Sequence, residues 1–435
     1  MPEAVVQPMI TRFWTGKDSH KITRYLADGG YETARRVLAE WKPEDIIQAV
    51  RNANLRGRGG AGFPAGLKWN FIPRDSQRPK YLVVNADESE PGTFKDKYIM
   101  MQSPHLLLEG IIISAYAIGA NTAYIYVRGE YGPCIQRLKE AIAEAEEMGF
   151  LGDRVCGTGF RLHVYVHKGA GAYIAGEETG LLESLEGKRA YPRIKPPFPA
   201  TVGAFRCPTA INNVETIAYV PFIFQIGAEA FAALGTERSG GMKLYCVSGH
   251  VNRPGVYELP MTTTLRTIIE EYAGGVWHGR KLKAVIPGGS SAPVLKADEI
   301  DVIAEFDALA KAGSMLGSAG IIVMDEMTCM VQALEVIADF YAEESCGQCT
   351  PCREGTPWML EMVEHAVRGT GDAEIAERLV SIARHIMGRT ICALGDAAAM
   401  PVISFITKFR DEFEYHLKTG KCDVEEKYGM ISNPA

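Results

Sequence analysis

Three cysteines in ESCGQCTPCREG, Cys346, Cys349 and Cys352, stand at a Cys-x2-Cys-x2-Cys spacing. Thiolates so close in sequence bind metal, but three of them do not close a tetrahedral set. Zinc knuckles pair two Cys-x2-Cys units or bring in histidine. Two successive Cys-x2 steps with a remote fourth cysteine match cubane [4Fe–4S] ligation instead. Cys392, in GRTICALGDAA, falls at the predicted junction between the third and fourth C-terminal helices, from which the chain can carry it back over the loop. Cys329 and Cys422 are the alternative fourth ligands, and zinc is the alternative metal.

Glycine-rich loops offer a second chemistry. RGRGGAGFPAGLKW (56–69) contains Gly57-x-Gly59-x-x-Gly62, the letters of a dinucleotide fingerprint. That fingerprint follows a strand and opens a helix, whereas here a helix precedes and Phe63-Pro64 follows. Gly62, Gly66 and Lys68 miss the spacing of a Walker loop as well. The glycines still allow close backbone approach to a phosphate or a flat ring, with Lys68 as counter-charge; the plain alternative is a solvent-exposed turn. HKGAGAYIAGEETGLLESLEG (167–187) follows the strand LHVYV and opens a helix, where α/β sheets hold ligands. Glu177 and Glu178 there repel phosphate and suit ribose hydroxyls or a carboxamide, while favourable interaction with the helix dipole is their ordinary role. NADESEPGTFKD (85–96) adds Asn85, Asp87, Ser89 and Glu90 at another strand end. KPPFPA presents Phe198 between prolines beside Lys195, and INNVET carries Asn212 and Asn213. Together these stretches read as one large cofactor pocket.

The elements that must position them alternate. YLVVN (81–85), AYIYV (123–127) and LHVYV (162–166) read as strands separated by the helices HLLLEGIIISAYAIG and CIQRLKEAIAEAEEMG, the second with Ile135, Leu138 and Ile142 on one face. Such alternation predicts a mostly parallel α/β sheet. Two helices, YETARRVLAEW and PEDIIQAVRNA, precede it. Near TERSGG the pattern changes to a hairpin, MKLYCVSG and VYELP about NRPG, then the helix LRTIIEEYAGG ending at Gly274 and the strands LKAVI and GIIVMD, a β-grasp-like unit. From Thr328 onward four helices follow, hence a bundle.

The 435 residues leave room for several domains. Apolar content of 47% and charged content of 23% are those of a globular chain with ample core. A formal charge of −7 without a long basic run argues against nucleic acid or an anionic membrane as partner. MPEAVVQPMI lacks the basic and apolar regions of an export signal, and residues 111–127 fall short of the ~20 apolar residues of a spanning helix. Ten cysteines, most of them scattered, suit reduced thiols plus one metal site better than a disulfide scaffold.

GRGGAGFPAGLKW, NADESEPG, GAGAYIAGEET, KPPFPA, INNVET and SCGQCTPCREG, in this order, closely resemble the flavin-bearing NADH-oxidising subunit of bacterial respiratory complex I, over nearly the whole chain. The resemblance implies a Rossmann-like domain binding FMN and NADH in one cavity, a ubiquitin-like domain and a four-helix bundle with a [4Fe–4S] cluster. It places an N-terminal helical region at 1–65, the FMN/NADH domain at 66–238, the β-grasp domain at 239–327 and the cluster bundle at 328–435. FMN contacts are implied for Gly57, Gly59, Gly60, Lys68, Asn85, Asp87, Ser89, Tyr173, Glu177, Asn212, Asn213 and Thr216. NADH contacts are implied for Phe63, Phe71 and Phe198 around the adenine and for Glu90, Glu178 and Lys195 on its polar groups. Cys346, Cys349, Cys352 and Cys392 would hold the cluster. Ala175 stands where relatives often carry Cys, off the cluster set.

The resemblance further implies hydride transfer from NADH to flavin, which splits the electron pair for a one-electron cluster, with no catalytic acid or base from the protein. Implied partners are a small thioredoxin-like [2Fe–2S] subunit and a large iron–sulfur subunit, on the cytoplasmic side of the inner membrane. The rival enzyme reading is the diaphorase subunit of an NAD-linked hydrogenase or formate dehydrogenase. The rival from another class is a metal-stabilised scaffold.

Overall fold

The computed structural model describes residues 7–429. Residues 1–6, part of the stretch read for an export signal, and 430–435, the end of the expected bundle region, lie outside the described residues. The chain divides into two compact units. The first runs to Ser89 and adds Thr93–Cys246 and Val256–Thr263; the second comprises Glu90–Gly92, Val247–Gly255 and the chain from Thr264 onward.

In the first unit, α1 (Ile22–Ala27), α2 (Glu32–Glu40) and α3 (Pro43–Asn52) precede the glycine loop. Pro43 sits in the first turn of α3, where its missing N–H costs nothing. α4 (Ala65–Asn70) follows the loop, so the loop does open a short helix, though from a helix and not from a strand. Then come β1 (Tyr81–Ala86), α5 (Asp96–Gln102), α6 (Pro104–Ile118), β2 (Thr122–Val127), α7 (Gly132–Glu147), β3 (His163–Lys168), α8 (Glu178–Leu185), β4 (Thr209–Asn213), α9 (Val214–Ile226) and α10 (Ala228–Ala232). The four strands are all parallel in the order β3-β2-β1-β4. β1 is buried on both faces, as a parallel strand under helices must be. Leu82 and Val84 join the core that contains α6 and α9, while Val83 meets Leu181 and Leu182 of α8.

α6 and α9 approach closely because Gly110 has no side chain; a Cβ there would lie 2.1 Å from the Ile217 carbonyl oxygen. α6 also carries Glu109, buried within an apolar run. Its carboxylate accepts the N–H groups of Tyr31 at 3.1 Å and Ala34 at 2.9 Å and the Tyr25 hydroxyl, tying the N-terminal helices to the sheet layer.

β5 (Met242–Gly249) and β6 (Gly255–Pro260) carry residues of both units. With β7 (Leu282–Ile286), β8 (Leu295–Lys296) and β9 (Gly320–Asp325) they form a five-stranded sheet of order β6-β5-β9-β7-β8. β7 is antiparallel to both β8 and β9. The helix expected up to Gly274 is shorter: α11 (Leu265–Thr267) passes into a π-turn, Ile268–Tyr272, and Gly274 and Gly275 both adopt φ of 75°. α12 (Phe306–Lys311) precedes β9.

The C-terminal helices are α13 (Met330–Glu344), α14 (Thr350–Arg368), α15 (Ile375–Ile386), α16 (Leu394–Lys408), α17 (Arg410–Thr419) and α18 (Asp423–Tyr428). α13 packs on α14 and α16, α14 on α15, and α15 on α16, which closes a four-helix bundle. The expected fourth helix is in fact two, because the chain leaves helical geometry at Phe409 (φ −123°, ψ 34°) and restarts as α17.

Candidate cofactor site

In the first unit, β2 and β3 lie to one side of β1 and β4 to the other, so the sheet reverses its winding between β1 and β4. Open α/β sheets bind ligands outside the carboxyl ends of the strands at such a switch point. Asn85 of β1 pairs in register with Asn213 of β4, which puts NADES and INNVET side by side at that edge.

The first glycine loop lies against the same edge. The Arg58 N–H donates to the Thr216 hydroxyl oxygen at 2.8 Å, and a Cβ on Gly59 would meet the Asn213 Cβ at 3.0 Å. The Gly57 N–H closes the loop onto the Phe63 carbonyl at 2.8 Å. Gly60, at φ 137°, has open space where a side chain would be. A flat group can therefore reach backbone here that a side chain would cover.

The second glycine loop comes to the β1 end. The Asn85 carboxamide donates to the Gly176 carbonyl at 2.8 Å and accepts the Asp87 N–H at 3.1 Å. The Ser89 hydroxyl donates to Asp87 at 3.1 Å, and a Cβ on Gly176 would stand 3.2 Å from the Asp87 carboxylate. Tyr173 opens the 3-10 turn Tyr173–Gly176 that leads into α8.

Glu177 is the N-cap of α8, accepting the N–H groups of Thr179 at 2.7 Å and Gly180 at 2.9 Å. Its other oxygen is 2.9 Å from Lys195 Nζ. Glu178 bonds Lys195 at 2.9 Å and Lys68 at 2.7 Å. Burial alone would raise the Glu178 carboxyl, but Lys68 and then Lys195 hold it down at about 2. Lys68, expected from the sequence as counter-charge to a phosphate, is here a partner of Glu178.

The three rings expected around the adenine stand in solvent, Phe63 at 45% exposure, Phe71 at 51% and Phe198 at 58%. Phe63 and Phe71 pair with ring centroids 6.3 Å apart. Glu90 belongs to the second unit, where its carboxylate accepts the Ser291 N–H at 2.8 Å.

The two carboxamides of INNVET are committed within the protein. Asn212 accepts the Trp69 indole N–H at 2.8 Å, and Asn213 caps α9 through the Glu215 N–H at 3.0 Å while donating to Asp96 at 2.6 Å. Behind them lies a buried charge network that sequence reasoning missed. Lys95 Nζ is 2.8 Å from Asp96 and 2.9 Å from Glu215; Lys243 Nζ is 2.5 Å from Glu215. Burial opposes ionisation of Glu215, but Lys243, Lys95 and Arg58 bring its carboxyl below the usual value. Burial lowers Lys243 to about 8 against the pull of Glu215. Only a lysine inside the apolar strand MKLYCV hinted at this in the sequence.

In the second unit, Cys349 is the N-cap of α14 and Cys352 lies in its first turn, so the third thiol is helical and not part of a free loop. Burial raises the Cys352 thiol, the Ser345 hydroxyl at 3.2 Å lowers it, and the neighbouring Cys349 and Cys346 raise it further. Gly355, one turn along α14, would drive a Cβ to 2.6 Å from Ile386, the last residue of α15. The α15–α16 junction bearing Cys392 thus begins beside the cysteine turn. Asp396 braces that junction from inside the first turn of α16 by accepting the Gly388 N–H at 2.7 Å. Four thiols outside any disulfide, with this placement, fit a cubane in chemistry and number. The glycine-lined switch point, with polar atoms at its rim, fits a flavin.

A profile of the Nuo51 FMN-binding domain matches residues 50–222, one of the SLBB domain matches 243–323, and one of the NADH-ubiquinone oxidoreductase-F iron-sulfur binding region matches 332–416. The chain is 53% identical over 416 residues to an F-type subunit of NADH-quinone oxidoreductase from Rhizobium meliloti (strain 1021), across 96% of this chain and 99% of that relative. It is 49% identical over 431 residues to the F-type subunit of NADH-quinone oxidoreductase from Mycobacterium bovis, across 98% and 96%. Among solved structures, NAD+-reducing [NiFe]-hydrogenase in the air-oxidized state superposes with a TM-score of 0.81 at 35% identity, across 95% of this chain and 67% of that one. With a parallel sheet open at its switch point and a thiol-lined helix start in one chain, and full-length identity of about half, this chain belongs to the family of F-type subunits of NADH-quinone oxidoreductase.

Proposed function

We propose that the chain oxidises NADH, using bound FMN, and sends the electrons one at a time through a [4Fe–4S] cluster to partner subunits of an NADH-quinone oxidoreductase. The observation that carries this reading is the presence, in one chain, of an FMN-binding region over the parallel sheet and an iron–sulfur region over the helical bundle. FMN accepts hydride in a pair and releases electrons singly. The protein's part is to bind, orient and exclude water.

Gly57, Gly59 and Gly60 bring backbone to the flavin, backed by Asn213 and Thr216, with Lys68 toward its phosphate. Asn85, Asp87, Ser89, Tyr173, Glu177 and Asn212 line or support the polar rim. Phe63, Phe71 and Phe198 offer ring faces to adenine, and Glu178, Lys195 and Glu90 are assigned to the nucleotide's polar groups. Cys346, Cys349, Cys352 and Cys392 hold the cluster. The four-part division at residues 65, 238 and 327 belongs to the same proposal. So do a small [2Fe–2S] subunit and a large iron–sulfur subunit as neighbours, and a place on the cytoplasmic face of the membrane. No helix among the described residues is long and apolar enough to cross a membrane.

The hydrogenase superposition supports a second reading, a diaphorase subunit, at 35% identity against 53% and 49% for the NADH-quinone oxidoreductase relatives. The test is a visible spectrum of the purified chain with NADH added, followed by identification of co-purified subunits. Flavin and iron–sulfur absorbance that bleaches with NADH supports the enzyme; a colourless chain refutes it. A co-purified nickel subunit selects the hydrogenase reading.

A further inference from the structure

Away from the cysteine turn of α14, the second unit gathers another set of metal-binding side chains. Cys329, His416 and Cys422 are all buried, and their ligating atoms lie within 4.8 Å of one another. We propose that these three residues bind a zinc ion that clamps the start of α13 to α17 and α18.

The geometry has the features of a built site. Cys329 is the N-cap of α13 and Cys422 the N-cap of α18, so each sulfur is presented from a helix start and neither lies within a helix. His416 reaches in from the last turn of α17 with Nε2 3.3 Å from the Cys329 sulfur. Its Nδ1 faces the Val367 carbonyl of α14 at 3.4 Å. A carbonyl only accepts, so the proton belongs on Nδ1 and Nε2 keeps its lone pair; metal-bound histidines are oriented in this way. The α17–α18 turn is itself held close, since a Cβ on Gly369 would fall 2.2 Å from Gly420 Cα.

The charge count selects the ion. Two thiolates and a neutral imidazole around a divalent cation sum to zero, the state a buried centre tolerates, whereas a monovalent ion would leave net negative charge. Thiolate and imidazole donors together suit zinc, with water as the fourth tetrahedral ligand. Binding releases the two thiol protons to solvent, and no electron is transferred.

The test uses the full chain carrying its flavin and iron, purified without chelators in zinc-supplied medium. The expected result is about one zinc per chain, with a zinc-edge absorption shell of two sulfurs at ~2.3 Å and at least one nitrogen at ~2.0 Å. Cys422→Ser and His416→Gln should lose that zinc while iron and flavin per chain are unchanged. Absence of zinc from the wild type overturns the proposal, as does an all-sulfur shell or zinc retained in both variants. A Cys329–Cys422 crosslink found by peptide mapping also overturns it. The absorption measurement on the wild type decides the matter even where a variant fails to fold.

Discussion

Lys68 and Lys195 clasp Glu178 from two sides, and this pairing makes part of the first unit's stability depend on acid. Held at about 2 against an ordinary 4.5, the Glu178 carboxylate stabilises the fold above pH 4.5, and that contribution is lost as pH falls through about 2. The shift corresponds to roughly 3 kcal/mol at neutral pH. Glu178→Gln should therefore unfold at lower denaturant than wild type at pH 7, and the gap should close as the pH is lowered from about 4.5 toward 2. A gap that does not change with pH would refute the pairing. Phe198, with more than half its surface in solvent, has little packing to lose. Phe198→Ala should raise KM for NADH about 5- to 100-fold, the worth of one base–aromatic stack, and leave flavin bound; steady-state kinetics with a flavin assay checks both.

At the scale of elements, the glycine loop and the α15–α16 junction carry the sharpest expectations. In Gly59→Ala the new Cβ meets Asn213 at 3.0 Å and pushes the loop off the end of β4. Flavin content after dialysis should drop several-fold while the thermal midpoint moves little; full flavin retention would mean the loop does not bear on the cofactor. Cys392→Ser should destroy the cluster's reduced-state paramagnetic signal while NADH still reduces the flavin, whereas Cys329→Ser should leave both signals intact. The reverse pattern would exchange the two cysteines' roles. What the sequence made legible here was local: strand–loop–helix order, the Cys-x2 steps and the glycines at strand ends. The break at Phe409 was not, since SFITKFRDEFEYHL holds neither Gly nor Pro and runs amphipathically across it. The grouping of Cys329, His416 and Cys422 was equally hidden, because Cys329 stands 87 residues from His416 in sequence and the two cysteines read only as alternative fourth ligands of the cluster.

At the scale of the whole molecule, the buried charges show what a one-dimensional reading cannot weigh. Lys95, Glu215 and Lys243 come from three separate stretches and are legible only once the start of α5, α9 and β5 are assembled. Removing one partner strands the others in a medium that solvates charge poorly. Lys243→Met should cost about 3 kcal/mol of stability by denaturant melting, with Lys95 retaining part of the compensation for Glu215. A neutral outcome would mean the network is dispensable.

The strand order β3-β2-β1-β4 also sets a schedule for biosynthesis. Arg58 bonds Thr216 across 158 residues of sequence, so the first glycine loop leaves the ribosome long before its backing exists. At roughly 5–20 residues per second that interval is about 8–30 s. Until β4 emerges, β1 lacks its second neighbour, and the proposed FMN site is only half built. Cofactor loading must therefore await the emergence of β4, and a nascent chain arrested before residue 209 should capture no flavin, whereas one released beyond α9 should.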